Sequence, residues 1–186
     1  MQNYSDYLMI IAPPDDVMYE IDRYKRASAK VIGNFEGMRS PAHISINHQH
    51  RCKPFVVHHG LSQMAESMGH ISPINLQISN FKYFTHGSQG MTIYACIVVN
   101  ERNDRWFKAL RTSMRLVQKN FVPHITIVKN LPAEKFGRLW PKFEQCKLQC
   151  SFKADRLTVL HKETYNERAK WELYKEFRFG TKLADY

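Results

Sequence analysis

"PHITI", residues 123–127, says again almost what "AHISI" says at residues 42–46. Each phrase sets a histidine before an aliphatic residue, a small hydroxyl residue and a second aliphatic residue. One such run is expected by chance in roughly one chain of this length in a few tens, so two of them point to a duplication. In a strand, successive side chains alternate between faces. Ile44 and Ile46 therefore enter the core while His43 and Ser45 point the other way, and Ile125 and Ile127 do the same beneath His124 and Thr126. Each phrase offers an imidazole and a hydroxyl side by side on one rigid surface.

The surrounding periodicity repeats as well. A strand is predicted at about 7–12, followed by Pro13-Pro14-Asp15-Asp16, which suits a helix start because proline and acids are favoured in the first turn. The next helix presents Val17, Met18, Ile21 and Tyr24 on one face, with Ser28 continuing the row. The second half has a strand at about 92–99, the polar breaker "NERND", and then Trp106, Phe107, Leu110, Met114 and Val117 on one helical face. After each histidine phrase a further helix is predicted, through Leu61, Met64, Ala65 and Met68 in the first half, and through Phe136, Leu139, Trp140 and Phe143 in the second, opened by Pro132. Alternating strand material follows each, with Ile74, Leu76 and Ile78 on one side and then Leu148, Cys150 and Phe152. A hairpin over about 156–161 and 171–179 closes the chain. The expectation is an α+β fold: one domain over 1–186 with two lobes, about 1–90 and about 91–186, related by a pseudo-twofold axis, each an antiparallel sheet with helices on its outer face and the motif strands lining a central cleft.

With 186 residues, 44% of them hydrophobic, there is material for a sizeable core. The longest apolar run falls far short of the ~20 residues that span a bilayer, and the polar start "MQNYSDY" has no basic region before an apolar segment, so a chain free of the membrane is expected. Cys52, Cys96, Cys146 and Cys150 form no paired framework, which favours reduced thiols in the cytoplasm. The formal charge of +10 attracts polyanions such as RNA.

Across a pseudo-twofold cleft the two phrases suit a phosphodiester. Two hydroxyls hold nonbridging oxygens, while imidazoles on opposite sides match an in-line displacement in which one removes a proton from the attacking oxygen and the other gives one to the leaving oxygen. A histidine pKa near 6.5 lets neutral and protonated copies coexist near neutrality. No metal and no cofactor are needed for such a reaction.

"HISI" and "HITI", one per half, resemble the paired His-x-Thr/Ser signatures of the two-histidine phosphoesterase superfamily, which includes the RNA ligase-like cyclic phosphodiesterases. The resemblance implies a bilobal fold and metal-independent chemistry on RNA or nucleotide 2′,3′-cyclic phosphates, with an RNA or nucleotide bearing such an end as partner and the chain acting as a monomer. By position it makes His43 and His124 the catalytic pair and Ser45 and Thr126 the phosphate-holding hydroxyls. In relatives the N-terminal histidine tends to act as acid and the C-terminal one as base. Trimming of RNA 3′ ends or 2′,5′ ligation would use the same pair, and a non-enzymatic RNA-binding module of the same fold is the alternative from another class. A titrating pair favours the enzyme, since lysine or arginine would serve simple phosphate binding.

Other segments carry weaker signals. "NHQHRCKPFVVHH" gathers His48, His50, Cys52, His58 and His59, but H-x-H-x-C followed by an adjacent pair is no structural zinc spacing, so a solvated basic loop at the cleft rim is expected. "NFKYF" at 80–84 interleaves aromatics with a lysine, as a base-stacking surface would, although core packing is expected of Phe81. Arg51 and Lys129, just past the two phrases, would add positive charge.

Overall fold

Two four-stranded halves meet along a narrow seam in this protein, whose computed structural model describes residues 4–116 and 120–181. In chain order the elements are β1 (Ser5–Ile11), α1 (Asp15–Ile32), β2 (Ile44–Cys52), α2 (Pro54–Gly69), β3 (Ile74–Thr85), β4 (Met91–Ile97), α3 (Glu101–Ser113), β5 (His124–Leu131), α4 (Ala133–Gln145), β6 (Gln149–Ala154), β7 (Arg156–Glu163) and β8 (Glu172–Arg178). The strands form one antiparallel sheet in the order β6-β3-β4-β5-β2-β1-β7-β8.

Each helix forms where the apolar spacing places it. Val17, Ile21, Ser28 and Ile32 of α1 are buried, and the Ser28 hydroxyl donates to the Tyr24 carbonyl within its own helix. Gly33 ends α1 at φ 79°, a backbone conformation open to glycine without strain, and its N–H reaches the Ala29 carbonyl. Trp106, Phe107, Leu110 and Met114 are buried as expected, while Val117 lies outside the described residues. "NERND" starts a helix and does not break one: Asn100 is the N-cap of α3, accepting from the Asn103 N–H while the Asn103 side chain accepts from the Asn100 N–H. The expected loop before Leu61 is likewise absent, because β2 runs to Cys52 and Pro54 opens α2 at once. Leu61 and Met68 of α2 are buried and Met64 partly so, but Ala65 faces solvent.

The duplication has a crossing that periodicity does not reveal. β3, the last strand of the first copy, leaves β1 and β2 and pairs between β4 and β6, while β7 takes the corresponding place between β1 and β8. Helices of the two copies also pack on each other: α1 lies against α4, where Arg138 donates to the Val31 carbonyl at 2.7 Å, and α2 lies against α3. The Trp106 indole N–H donates to the Ser72 carbonyl at 2.7 Å, tying α3 to the entry of β3. Along the seam, β2 and β5 share the single pair Ile44 and Ile125, both fully buried. Burying each of these side chains contributes about 1.5–3 kcal/mol, and their burial leaves the flanking residues facing the cleft.

Candidate active site

Because Ile44 and Ile125 are partners in antiparallel strands, the register sets His43 across from Thr126 and Ser45 across from His124. The four side chains occupy the corners of a patch whose diagonals are His43–His124 and Ser45–Thr126. Strand rise and spacing make the histidine diagonal roughly 8 Å between Cα atoms. Both histidines are half-buried and Ser45 is exposed.

The two imidazoles are oriented by the same device. His43 Nδ1 lies 2.9 Å from the Pro41 carbonyl oxygen, and His124 Nδ1 lies 2.7 Å from that of Val122, each two residues upstream. A carbonyl only accepts, so Nδ1 carries the proton in both rings and Nε2 is left for the cleft. Pro123 restricts Val122 to extended backbone, which helps hold that carbonyl in place.

Burial lowers both histidine pKa values below the ordinary imidazole value. Against this, the carbonyl bonds pull upward, while Lys25 and His124 press His43 further down and His86 does the same to His124. Apolar periodicity does not single out Lys25. It is buried on α1, donates to the Ser40 carbonyl at 2.7 Å and reaches the Gly37 carbonyl at 3.4 Å, and so fastens the loop that delivers His43. Its own pKa is lowered by burial. The signal was a lysine on the helical face otherwise made of Val17, Ile21 and Ser28.

An aromatic wall flanks His124. Phe84 and Tyr94 stack with centroids 4.2 Å apart, and each meets the His124 ring edge-on at 5.1 Å. A bulge in β3 creates it: Asn80 adopts φ 56°, the pairing with β4 slips between Ile78 and Phe81, and the alternation of faces inverts. Phe81 then packs in the core against Tyr24 and Phe143, and Tyr83 against Phe136 and Trp140, while Phe84 turns into the cleft. "NFKYF" thus serves both surfaces.

A second bulge acts on β2. Ser45 pairs with Ile10 but Asn47 with Met9, so Ile46 is the extra residue, and His48, opposite Leu8, comes to share a face with His43 and Ser45. His50 follows on that face, whereas His58 and His59 lie on α2. Of the five residues in the His48–His59 cluster, then, the fold brings together only His48 and His50. Arg51 places its guanidinium by the rings of Tyr4 and Tyr165, and Lys129 pairs with Glu36 at 2.6 Å. The four cysteines are free thiols. No helix among the described residues is long and apolar enough to cross a membrane.

The same architecture occurs in solved structures. E. coli LigT complexed with phosphate aligns with a TM-score of 0.65 at 10% identity, covering 96% of this chain and 99% of that one. TT0787 of Thermus thermophilus aligns at 0.66 and 15% identity, covering 95% and 99%. E. coli LigT complexed with 3′-AMP aligns at 0.64 and 10% identity, covering 95% and 98%. At these identities the likeness establishes the fold. No curated protein sequence matches this chain. The model of the 2′-5′ RNA ligase superfamily matches residues 13–166, a span that includes both histidine phrases. The chain therefore belongs to the 2′-5′ RNA ligase superfamily, among the two-histidine phosphoesterases.

Proposed function

We propose that this protein is a phosphoesterase that opens RNA or nucleotide 2′,3′-cyclic phosphodiesters to a 2′-phosphate, with His43 and His124 as its acid–base pair. The observation that supports the reading is the matched pair of Nδ1 bonds, one in each half, which leaves Nε2 of both imidazoles available for proton transfer. Ser45 and Thr126 donate to the nonbridging oxygens. Neutral His124 takes a proton from water as its oxygen attacks phosphorus, the P–O3′ bond breaks, and protonated His43 delivers a proton to the departing 3′ oxygen. Burial alone would leave both imidazoles neutral near pH 7, so the anionic phosphate between them is what stabilises one imidazolium. The Phe84–Tyr94 wall offers an apolar face for a base. Phosphate and 3′-AMP in LigT structures are ligands of the chemical class this reading requires.

The family's name favours a neighbouring reaction on the same residues. A ribose hydroxyl attacking in place of water would give a 2′,5′ linkage. Incubation with nucleoside 2′,3′-cyclic phosphates, RNA carrying a cyclic end with and without a 5′-hydroxyl partner strand, and ADP-ribose cyclic phosphate, followed by product identification, tests both. Release of 2′-phosphates is the expected result. RNA binding with no turnover of any substrate would return the chain to a non-enzymatic RNA-binding module.

A further inference from the structure

On the cleft face of β2, beyond Ser45, His48 and His50 converge with Asp6 of the neighbouring β1. One ligand atom from each lies within 4.8 Å of those from the other two. We propose that Asp6, His48 and His50 form a binding site for a divalent transition-metal ion of the zinc type, separate from the His43–His124 pair.

Three features prepare the site. Two imidazoles and a carboxylate are a donor set suited to zinc, which leaves a fourth position for water. The Asp6 side chain is only 8% exposed, and one of its oxygens is already fixed: Oδ1 accepts from the Arg51 backbone N–H at 3.0 Å and from the Thr164 hydroxyl at 2.8 Å. That leaves Oδ2 aimed at His50, whose Nδ1 is 3.7 Å away. Carboxylate ligands anchored by such outer hydrogen bonds hold metal more tightly than free ones. The two donors on Oδ1, the Arg51 N–H and the Thr164 hydroxyl, favour the ionised carboxylate that a metal ligand requires.

The third feature is the crowding of the imidazoles, whose centroids are 3.8 Å apart. Two protonated rings at that separation repel, whereas a shared cation is bound by both in their neutral form. An ion centred in a triangle with 4.8 Å sides is about 2.8 Å from each corner, so each ligand needs to move by roughly 0.7 Å to reach zinc bonding distance. Both histidines are exposed and free to make that adjustment. The competitor is Lys162, with Nζ 3.9 Å from Asp6 Oδ2 and 5.0 Å from the Trp171 ring centre; its charge, with that of Lys129 near His48, opposes the ion. Lys162 is a third exposed, so its ammonium has a path to solvent when the ion enters.

Calorimetric titration of the metal-stripped protein with zinc chloride, beside its thermal melting curve, tests the proposal. One ion per chain and a raised melting temperature are expected, because an ion bound only by the folded state stabilises it. His48→Ala and His50→Ala, both at exposed positions that leave folding intact, should each weaken binding at least tenfold, and Thr164→Val by about tenfold through Asp6. Lys162→Met should tighten it by removing an opposing charge, and the effect of Thr164→Val, which touches only Asp6, separates the three-ligand site from adventitious binding to the two histidines. Absence of stoichiometric binding would overturn the proposal. So would binding that survives both histidine variants, binding lost instead in the His58→Ala/His59→Ala double variant, or weaker binding in Lys162→Met.

Discussion

Removing each imidazole in turn separates the chemistry from the fold, because each one holds so little of the fold. His43 is half-buried with one hydrogen bond to a carbonyl, so His43→Ala is expected to cost about 1 kcal/mol of stability. His124 makes one such bond and two edge contacts to Phe84 and Tyr94, so His124→Ala should cost about 2–3 kcal/mol. Both variants should keep the wild-type circular dichroism spectrum at 25 °C. Loss of a general acid or base, by contrast, lowers the rate by 10² to 10⁴, or about 3–5 kcal/mol of barrier. Single-turnover hydrolysis of a nucleoside 2′,3′-cyclic phosphate measures that loss. The same assay with a substrate whose leaving group needs no proton should restore the variant lacking the acid, expected to be His43→Ala, and leave His124→Ala slow. Rescue of His124→Ala would exchange the two roles. Turnover within a few-fold of wild type in either variant would refute paired acid–base catalysis.

Further outcomes follow from the same geometry. Since burial lowers both histidine pKa values, kcat/KM should be bell-shaped with its maximum on the acid side of free imidazole, and each single-histidine variant should lose one limb. The same depression means the unfolded chain binds more protons, so stability is fully present above about pH 6.5 and falls as pH drops through the folded values; the double variant should show a shallower acid loss in chemical denaturation. Ser45→Ala and Thr126→Ala should each weaken transition-state binding by about 1–3 kcal/mol, read from kcat/KM, and equality with wild type would make these hydroxyls structural. Lys25→Met leaves two carbonyls short of a donor, so a stability loss of about 1–3 kcal/mol is expected together with a higher His43 pKa by NMR titration. Turnover should withstand thorough chelation if, as proposed, two imidazoles carry the proton transfers; activity abolished by chelator and restored by zinc would move the chemistry to the Asp6–His48–His50 cluster.

What the sequence discloses here is periodic and local. The 3.6-residue spacing locates the four helices, and the alternation about Ile44 and Ile125 puts His43, Ser45, His124 and Thr126 on one face. Two bulges lie beyond that reading. Carried unbroken through Ile46, a period of two sends His48 and His50 to the core side and sets Asn47 and Gln49 in the cleft; carried through Asn80, it buries Phe84. Each bulge inverts the order, and the positive φ at Asn80 is the sort of conformation that asparagine adopts more readily than most residues, a hint visible only in retrospect. Asp6 joins the histidines by strand pairing, which residue spacing does not encode. Lys25 is hard to single out because a charged residue on a helix is expected to face water, and here two loop carbonyls compensate its burial.

The exchange of β3 and β7 bears on how such a chain arose. Were the chain cut in the turn near Gly90, the first fragment would hold β1, β2 and an orphaned β3, and the second would hold β4, β5 and β6 with the space for β3 open and β7 lacking β1. Neither fragment completes a sheet, yet each supplies the strand that the other lacks. That is the relation between the subunits of a strand-swapped homodimer, and a tandem fusion of two such subunits would yield this connectivity without rearranging a single strand. Gly90 lies in the turn between the two fragments at a positive φ, and a Cβ there would collide with the Leu131 carbonyl oxygen, so this connection admits only glycine. In a symmetric dimer of this connectivity the two histidines would be equivalent, so any division into proton donor and proton acceptor would have to come from what differs around them, such as Lys25 beside His43 and His86 beside His124.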